Sequence, residues 1–340
     1  MRVAHVMAGA PMGGAELFFE RLCAAQVAAG DTVLAAIKRE PARAARLRAA
    51  GLDPLELGFG QAWDLRTRPR LRAALRRFAP RVVVSWMSRA SSFTPRGPYV
   101  RVGRLGGFYN LDHFRHCDHL VGNTRGLVAW MRAQGRPAAR THYLPNFVAD
   151  QAAAAPAADL SRTPHPLLLG LGRLHAEKGF DVLLRAMPVL PGATLLLAGD
   201  GPARAELTRL ASALGVAERV VFAGWRRDVG ALLAAADALV VPSRVEPLGN
   251  VIIEAWSAGC PVVAAAVEGP SELIEDGTDG MLVPREDAAG LAAALGAVLA
   301  EPARARAMAA AGRRRYEAEF TEARVLALWR DFLGSVGSAV

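Results

Sequence analysis

Two glutamates, Glu246 and Glu254, bracket a Gly-Asn pair in a segment that reads PSRVEPLGNVIIEAWSAGCP. The apolar run ALVV before this segment predicts a strand, and the apolar spacing after Gly249 predicts a helix that begins at Asn250. Unpaired backbone N–H groups at a helix amino end attract anions, and carboxylates beside it can accept hydrogen bonds from hydroxyl groups. The segment therefore suits a sugar nucleotide, although two isolated glutamates are more often ordinary surface charges.

Two cations occur in a second segment, GRLHAEKG, which follows a buried strand predicted at residues 167–171. Arg173 and Lys178 would flank a tight loop at the carboxyl end of that strand, where two positive charges can hold a diphosphate. Of the 41 basic side chains, only Lys38 and Lys178 are lysines. This scarcity favours a requirement for a compact ammonium group at Lys178, with ordinary surface charges as the alternative.

Glycine-bearing turns follow two other predicted strands. Gly13 and Gly14 open a long helix after the first strand, and Gly201 with Pro202 follows a strand predicted at residues 194–198. Glycine lets a phosphate or a flat ring approach the backbone closely. The first turn lacks the G-x-G-x-x-G spacing of a dinucleotide site, which disfavours an NAD dehydrogenase.

Strands and helices alternate along the chain, which is typical of parallel sheets covered by helices. A chain of 340 residues with 52% hydrophobic residues can fill two such domains, and residues 151–166 are Ala- and Pro-rich like a linker. The expected division is a first domain at 1–148, a linker at 149–166, a second domain at 167–320 and a helix at 321–340. Residues 86–104 are predicted to be irregular, and residues 267–271 to form a loop.

The charge is unevenly distributed. Residues 1–150 carry 23 Lys and Arg against 10 Asp and Glu, whereas residues 151–340 carry 18 against 22. The basic first half favours an anionic partner such as phospholipid headgroups or an anionic glycolipid, with nucleic acid less favoured. The arginine-rich helix predicted within residues 63–81 could lie on a membrane surface, but its apolar stripe could equally dock on the sheet.

Histidine and cysteine spacing gives weaker indications. His113, His116 and His119 recur at intervals of three, which on a helix would bring His113 and His116 close together. No carboxylate stands at a matching ligand position, which disfavours a metal site. His113 is instead a candidate general base. Three widely spaced cysteines form no Cys-x-x-Cys pair, which fits a reducing compartment. No apolar run is long enough to span a bilayer, and the N-terminus resembles a strand more than a signal peptide, so a cytoplasmic location is expected.

Several motifs in order resemble the retaining GT-B glycosyltransferases of glycosyltransferase family 4. They are GGAE at 13–16, G-R-L-x-x-E-K-G at 172–179, GDGP at 199–202, F-x-G at 222–224, P-S-x-x-E-P-L-G-N-x-x-x-E at 242–254 and A-G-x-P-V-V at 258–263. The resemblance implies an α/β protein with two Rossmann-like, doubly wound parallel-sheet domains and an interdomain cleft. It places the nucleotide-sugar donor mainly on the second domain and the acceptor on the first, and residues 321–340 would form a helix that crosses back to the first domain.

The resemblance also implies residue roles. Arg173 and Lys178 would bind the diphosphate and stabilise the leaving nucleotide, which makes a metal or other cofactor unnecessary. Glu246 would hold the donor sugar and Glu254 the ribose. The other implied donor-binding residues are Gly13, Gly14, Gly172, Gly201, Pro202, Gly249, Asn250 and Val251. Transfer would retain the anomeric configuration by front-face attack. The acceptor would be a glycan or lipid-linked glycan of the envelope polysaccharide or lipopolysaccharide type. Whether the protein also contacts the inner face of the membrane is left open.

Two departures from the family pattern concern the first domain. Many members carry a histidine after a strand near the donor sugar, but the strand predicted at 82–85 continues into Trp86-Met87-Ser88-Arg89, which makes His113 the nearest candidate. The usual Pro-Asn-Gly near the domain end is Pro145-Asn146-Phe147. A GT-B sugar-nucleotide epimerase and a non-catalytic sugar-nucleotide or glycan-binding protein remain the alternative interpretations.

Overall fold

The computed structural model describes residues 1–11, 13–60 and 64–338. Clustering of contacts divides the chain into unit 1, residues 1–147 with those from 322 onward, and unit 2, Val148–Thr321. Each unit is a parallel sheet covered by helices, so the predicted α/β class is confirmed. Met12 in the predicted glycine turn, Trp63 in the predicted arginine-rich helix and the end of the final segment lie outside the described residues.

Unit 1 contains a seven-stranded sheet in the order β3-β2-β1-β4-β5-β6-β7. Its strands are β1 Arg2–Met7, β2 Thr32–Lys38, β3 Leu55–Leu57, β4 Val82–Trp86, β5 Val100–Leu105, β6 His119–Gly122 and β7 Thr141–Tyr143. Its helices up to β7 are α1 Gly14–Ala28, α2 Pro41–Ala49, α3 Thr67–Phe78, α4 Met87–Phe93 and α5 Arg125–Ala133. The strand order reverses between β1 and β4, and such a switch point is where open α/β sheets bind ligands.

Unit 2 contains a six-stranded sheet in the order β10-β9-β8-β11-β12-β13. Its strands are β8 Leu167–Leu171, β9 Thr194–Ala198, β10 Val220–Gly224, β11 Ala238–Val241, β12 Val262–Ala265 and β13 Met281–Val283. Its helices are α6 Phe180–Ala186, α7 Arg204–Ala213, α8 Val229–Ala235, α9 Asn250–Ala258, α10 Glu268–Leu273, α11 Ala288–Ala300 and α12 Pro302–Glu319. The switch point lies between β8 and β11, whose carboxyl ends lead into the two segments with the paired charges.

Two predictions of irregular structure are wrong. Residues 86–104 contain α4 and β5, and the buried central strand β5 was obscured because two arginines interrupt its apolar pattern. Residues 267–271 enter α10, in which Pro270 is the third residue. Proline is tolerated there because the first turn of a helix needs no N–H donor.

The arginine-rich helix α3 docks on the sheet of unit 1. Leu71 and Leu75 are fully buried in one apolar cluster with Leu57 and Phe59, while most arginines of the helix stay exposed. The docking alternative is therefore confirmed, because the apolar stripe that a membrane surface would need is already covered. Among the described residues, no helix is both long enough and apolar enough to cross a bilayer.

The last helix, α13 Glu322–Gly337, belongs to unit 1. It contributes five buried side chains to the core under α1 and β4: Val325, Trp329, Phe332, Leu333 and Val336. Trp329 stacks on Trp86 of β4 with ring centroids 6.2 Å apart and planes within 15°. The first and last parts of the chain thus share one hydrophobic core.

A buried histidine, His5, is expected to make the stability of unit 1 depend on pH. The indole N–H of Trp86 donates to Nδ1 of His5 at 3.1 Å, so the neutral ring carries its proton on Nε2, 2.8 Å from Oε1 of Gln26. Burial lowers the pKa of His5 to about 4. The unfolded chain binds this proton near pH 6.5 and the folded chain does not, so stability should fall as the pH drops from 6.5 towards 4.

Thermal unfolding between pH 7 and pH 4.5 checks this expectation. Wild-type protein should lose stability as the pH falls below 6.5, by up to about 1.4 kcal/mol for each pH unit. His5→Gln keeps an acceptor for Trp86 but cannot titrate, so its stability should depend less on pH. Equal pH dependence in the two proteins would contradict the assignment to His5.

Candidate functional site

The two charged segments of unit 2 meet at the switch point of its sheet. Lys178 lies in the loop after β8 and Glu246 in the loop after β11, and Nζ of Lys178 is 2.5 Å from Oε2 of Glu246. Ser243 donates a longer hydrogen bond, 3.4 Å, to the same carboxylate oxygen. Glu246 is only 8% exposed, which favours pairing of its charge. Residues 68 positions apart thus form one ion pair.

The backbones of these two loops are also joined. The carbonyl oxygen of Glu177 accepts from the N–H groups of Arg244 and Val245 at 2.7 and 3.2 Å. Gly179 has φ 63°, and a Cβ on it would overlap the carbonyl oxygen of Pro242. Only glycine fits that position without strain, so its presence is required for the loops to approach.

A third loop, after β9, joins the same group. The N–H of Leu174 donates to the carbonyl oxygen of Asp200 at 3.0 Å, and the N–H of Ala203 donates to the carbonyl oxygen of Leu174 at 3.0 Å. A Cβ on Gly201 would overlap that same carbonyl oxygen. Contact between the loops after β8 and β9 is therefore enough to explain why residue 201 is glycine, whether or not a ligand binds there.

Arg244 holds the loops in register. Its guanidinium forms two 2.8 Å hydrogen bonds to the carboxylate of Asp181, a 2.7 Å bond to Glu286 and a 2.8 Å bond to the carbonyl oxygen of Ala176. These hydrogen bonds lower the pKa of Asp181 below its usual value. Sequence reasoning missed Arg244, although its place two residues before Glu246 could have suggested a role.

Arg244→Ala should remove this clamp. Because the pair with Asp181 is partly exposed, we expect a stability loss of only about 1 kcal/mol. The larger effect should be on turnover, since displacement of Glu246 by about 1 Å can cost roughly 100-fold. Arg244→Lys should not restore activity, because an ammonium cannot make the bidentate contact. Arg209→Ala, at an exposed position on α7, is the matched control, and near-native turnover of Arg244→Ala would contradict the clamp.

The loop after β11 ends at the amino terminus of α9. Gly249 caps the helix with φ 93°, and Asn250 and Val251 are its first residues, as predicted. Glu254 lies one turn further on and is partly buried. The N–H of Gly269 donates to the carbonyl oxygen of Glu246 at 2.9 Å, so the start of α10 supports this loop from the other side.

Gly172 and Arg173 differ in their surroundings. Gly172 donates its N–H to the carbonyl oxygen of Ala198 at 3.1 Å and lies against the side chain of Lys178. Arg173 is exposed, and within the part of the chain that the structure describes it has no ion-pair partner. Its guanidinium is therefore available to an anion, whereas the ammonium of Lys178 is already paired.

In unit 1, the predicted glycine turn is held from two sides. Gly13 and Gly14 lie at the start of α1, and the buried carboxylate of Glu16 folds back to accept from the N–H of Ala10 at 2.8 Å. The fully buried guanidinium of Arg43 donates to the carbonyl oxygens of Ala10, at 2.5 Å, and of Pro11, at 3.2 Å. Ala10 and Pro11 are thus held in place next to the switch point of this sheet.

Arg104 is a buried cation at the carboxyl end of β5. Its Nη2 donates to Oδ1 of Asn146 at 2.5 Å, and its guanidinium lies over the ring of Trp86 at 5.0 Å. Its Nε and Nη1 have no hydrogen-bond partner among the described residues. Burial lowers the pKa of Arg104 to about 10. Sequence reasoning missed this residue because it took the segment to be irregular.

The three histidines spaced at intervals of three, His113, His116 and His119, have different neighbours. His113 lies in a single 3-10 turn, Leu111–Phe114, with Nδ1 3.2 Å from Oγ of Ser92. His116 follows that turn and contacts Arg96, while His119 begins β6 and lies 3.0 Å from His142. Of the three, only His113 lies within a helical turn, because that turn ends at Phe114. A general-base role for His113 stays a prediction.

Comparison with protein families supports the sequence motifs. A family model described as glycosyl transferases group 1 matches residues 165–301. The lipopolysaccharide core biosynthesis glycosyltransferase LpsE of Rhizobium meliloti is 35% identical over 319 residues, 88% of this chain and 89% of the relative. LpsD of the same organism, described in the same words, is 33% identical over 338 residues, 97% of each chain.

Solved structures support the fold. HepE of Anabaena in complex with UDP superposes with a TM-score of 0.87 at 20% identity, covering 98% of this chain and 100% of that one. WaaG, a glycosyltransferase involved in lipopolysaccharide biosynthesis, gives a TM-score of 0.73 at 19% identity, covering 98% and 99%. At such low identity these likenesses concern architecture alone, and they confirm the predicted GT-B fold of two parallel-sheet α/β domains.

Proposed function

This chain belongs to the glycosyl transferases group 1 family, and we propose that it transfers a sugar from a nucleoside diphosphate donor to an acceptor of the lipopolysaccharide-core type. Two relatives of nearly the same length that carry this description support the acceptor class. The single observation that carries the proposal is the Lys178–Glu246 pair at the switch point of unit 2, inside the segment that the family model matches.

In the proposed donor complex, Arg173 and Lys178 bind the diphosphate. The exposed guanidinium of Arg173 supplies a first contact, and the phosphate competes with Glu246 for the ammonium of Lys178. Glu246, released from that pair, then accepts a hydroxyl of the donor sugar. Backbone N–H groups at the start of α9 face the same loop and add donors.

The remaining donor contacts are assigned to α9, to the loop after β9 and to the start of α1. Glu254, one turn into α9, would accept from the ribose, while Gly201 and Pro202 would lie near the base. In unit 1, Gly13 and Gly14 at the start of α1 would offer backbone to a phosphate. We assign the charge stabilisation of the leaving nucleotide to Arg173 and Lys178, with no metal or other cofactor in the proposal.

We propose that transfer retains the anomeric configuration. The bond from the anomeric carbon to the leaving phosphate oxygen breaks, and the acceptor oxygen attacks from the same face. The acceptor proton passes to an oxygen of the departing diphosphate, so no enzymic nucleophile is needed. Nuclear magnetic resonance of the first-formed product tests this point, because an α-linked donor should give an α-linked product.

Donor and acceptor assays test the proposal as a whole. A thermal-shift panel of UDP-, GDP-, CDP- and dTDP-sugars should identify the donor, since a ligand that binds only folded protein raises the melting temperature. With that donor, nucleotide release should be slow until deacylated lipopolysaccharide core oligosaccharide is added, and the oligosaccharide should gain the mass of one sugar. Fast release without acceptor would indicate an epimerase or hydrolase, and donor binding without release would indicate a binding protein.

A further inference from the structure

Unit 1 contains a pocket of about 520 Å³ between the loop after β5 and α5. Its lining includes Tyr109, Asn110, Asp112, Trp130, Gln134 and Arg136, and none of the proposed donor-binding residues. This volume lies within the range of roughly 300–1,000 Å³ typical of small-molecule sites. From the features described below, we infer that the pocket binds a non-reacting, neutral pyranose residue of the glycan acceptor, an inference that rests on the proposed function.

Exposed aromatic side chains distinguish this region. Trp130 is half-buried, and Phe108, 49% exposed, packs edge-on against it with centroids 5.3 Å apart and planes at 86°. Tyr109, the neighbour of Phe108, is anchored by stacking on the buried Phe114. Aromatic rings pack well against the C–H faces of a pyranose. A sugar in the pocket would cover apolar surface that otherwise meets water.

The polar groups of the pocket are held in place by its own backbone. Oδ1 of Asn110 accepts from the N–H of Asp112 at 2.9 Å, which fixes the amide plane. Nη2 of Arg136 donates to the carbonyl oxygen of Leu111 at 2.8 Å, which ties the loop to the segment after α5. Amide, carboxylate and guanidinium groups together supply both the donors and the acceptors that adjacent hydroxyls require.

The charge of the pocket favours a neutral ligand. Among the described residues that line it, Asp112 is the one acid and Arg136 the one base, so their formal charges sum to zero. A phosphate site would show an excess of cations, as the loop with Arg173 and Lys178 does. An apolar lipid tail would not match the amide and carboxylate groups. A neutral sugar fits both the rings and the polar groups.

The position of the pocket suits a multi-sugar acceptor. The carboxyl ends of β1 and β5 lie at the same edge of this sheet with β4 between them. A Cβ on Gly106, at the start of the loop after β5, would lie 3.8 Å from Cβ of Ala15 in the first turn of α1. Tyr109 follows the last residue of β5 by four positions, a span of at most about 14 Å. One sugar could therefore reach the edge of the sheet while another occupies the pocket.

Fluorine magnetic resonance of protein labelled with 5-fluorotryptophan tests binding without any donor. The probe is deacylated, dephosphorylated lipopolysaccharide core oligosaccharide, with free glucose and galactose as shorter ligands. The resonance that Trp130→Phe removes should shift during the titration. The resonance that Trp225→Phe removes should not, because Trp225 is 56% exposed but lies in unit 2. Absence of any shift of the Trp130 signal would overturn the inference.

Acceptor kinetics provide the second readout. Asp112→Asn and Gln134→Ala alter exposed side chains, so both variants should fold. Each should raise the acceptor KM at least about fivefold. The thermal shift that the donor induces should stay unchanged in both. An acceptor KM within twofold of wild type in both variants would overturn the inference. If the oligosaccharide shifts the Trp130 signal of the wild-type protein but no sugar is transferred, the inference about the pocket is supported and the proposed function fails.

Discussion

Lys178→Met should lower the turnover of sugar transfer by about 10²- to 10³-fold, the usual loss when a preorganised charge-stabilising group is removed from an active site. The ammonium in our proposal stabilises negative charge that develops on the leaving diphosphate. Methionine preserves the length and apolar stem of the side chain but cannot carry that charge. The fold should persist, because the ammonium of Lys178 is partly exposed and Ser243 still donates a hydrogen bond to the carboxylate of Glu246 in the variant.

The chain offers a matched control for this experiment. Lys38, at the end of β2, is the only other lysine, and Lys38→Met should leave turnover within about twofold of wild type. A Lys178→Met variant that turns over at a near-native rate would refute the assignment. The kcat of each variant should be measured at saturating donor, so that weaker binding is separated from slower chemistry.

A double-mutant cycle adds a test that a merely structural ion pair would not pass. Glu246→Gln removes the partner charge and should itself reduce turnover, because an amide accepts the sugar hydroxyl less strongly. Since each residue contacts the other directly, the losses in the double variant should be smaller than the product of the two single losses. Strictly multiplicative effects would indicate that the two side chains act independently in the reaction.

Trp329→Ala should destabilise unit 1 by about 3–5 kcal/mol, the usual cost of removing a large buried aromatic side chain. The indole is fully buried, stacks on Trp86 and contacts Phe332 edge-on. Truncation would leave a cavity under α13 that the surrounding rings cannot fill. Because α13 is far in sequence from the rest of unit 1, loss of this contact should release the helix before the sheet unfolds.

Amide hydrogen exchange can locate this effect, which a single melting temperature cannot do for a chain of two units. Protection should fall in α13 and β4 and stay unchanged in β8 and β11 of unit 2. Leu328→Ala, one residue earlier on the same helix and 42% exposed, should change stability by no more than about 0.5 kcal/mol. Equal protection of α13 in Trp329→Ala and wild type would contradict its place in the core.

Much of the secondary structure follows from local pattern. The bounds of α9 agree with the prediction because its apolar residues recur at helical spacing and a glycine stands at each end. The predictions failed for β5, where Arg101 and Arg104 interrupt the apolar pattern. Local pattern cannot identify such a strand, because its arginines are accommodated by distant partners, Asp118 and Asn146.

The candidate site shows the same division between local and long-range information. Residue types and motif spacing were enough to select Glu246, Glu254, Arg173 and Lys178, since each lies in a short segment with its own chemical pattern. Spacing along the chain could not reveal that Lys178 pairs with Glu246 or that Arg244 clamps their loops. Those contacts exist because β8 and β11 are neighbours in the sheet although about 70 residues separate them, and such pairing depends on the burial of the whole apolar core.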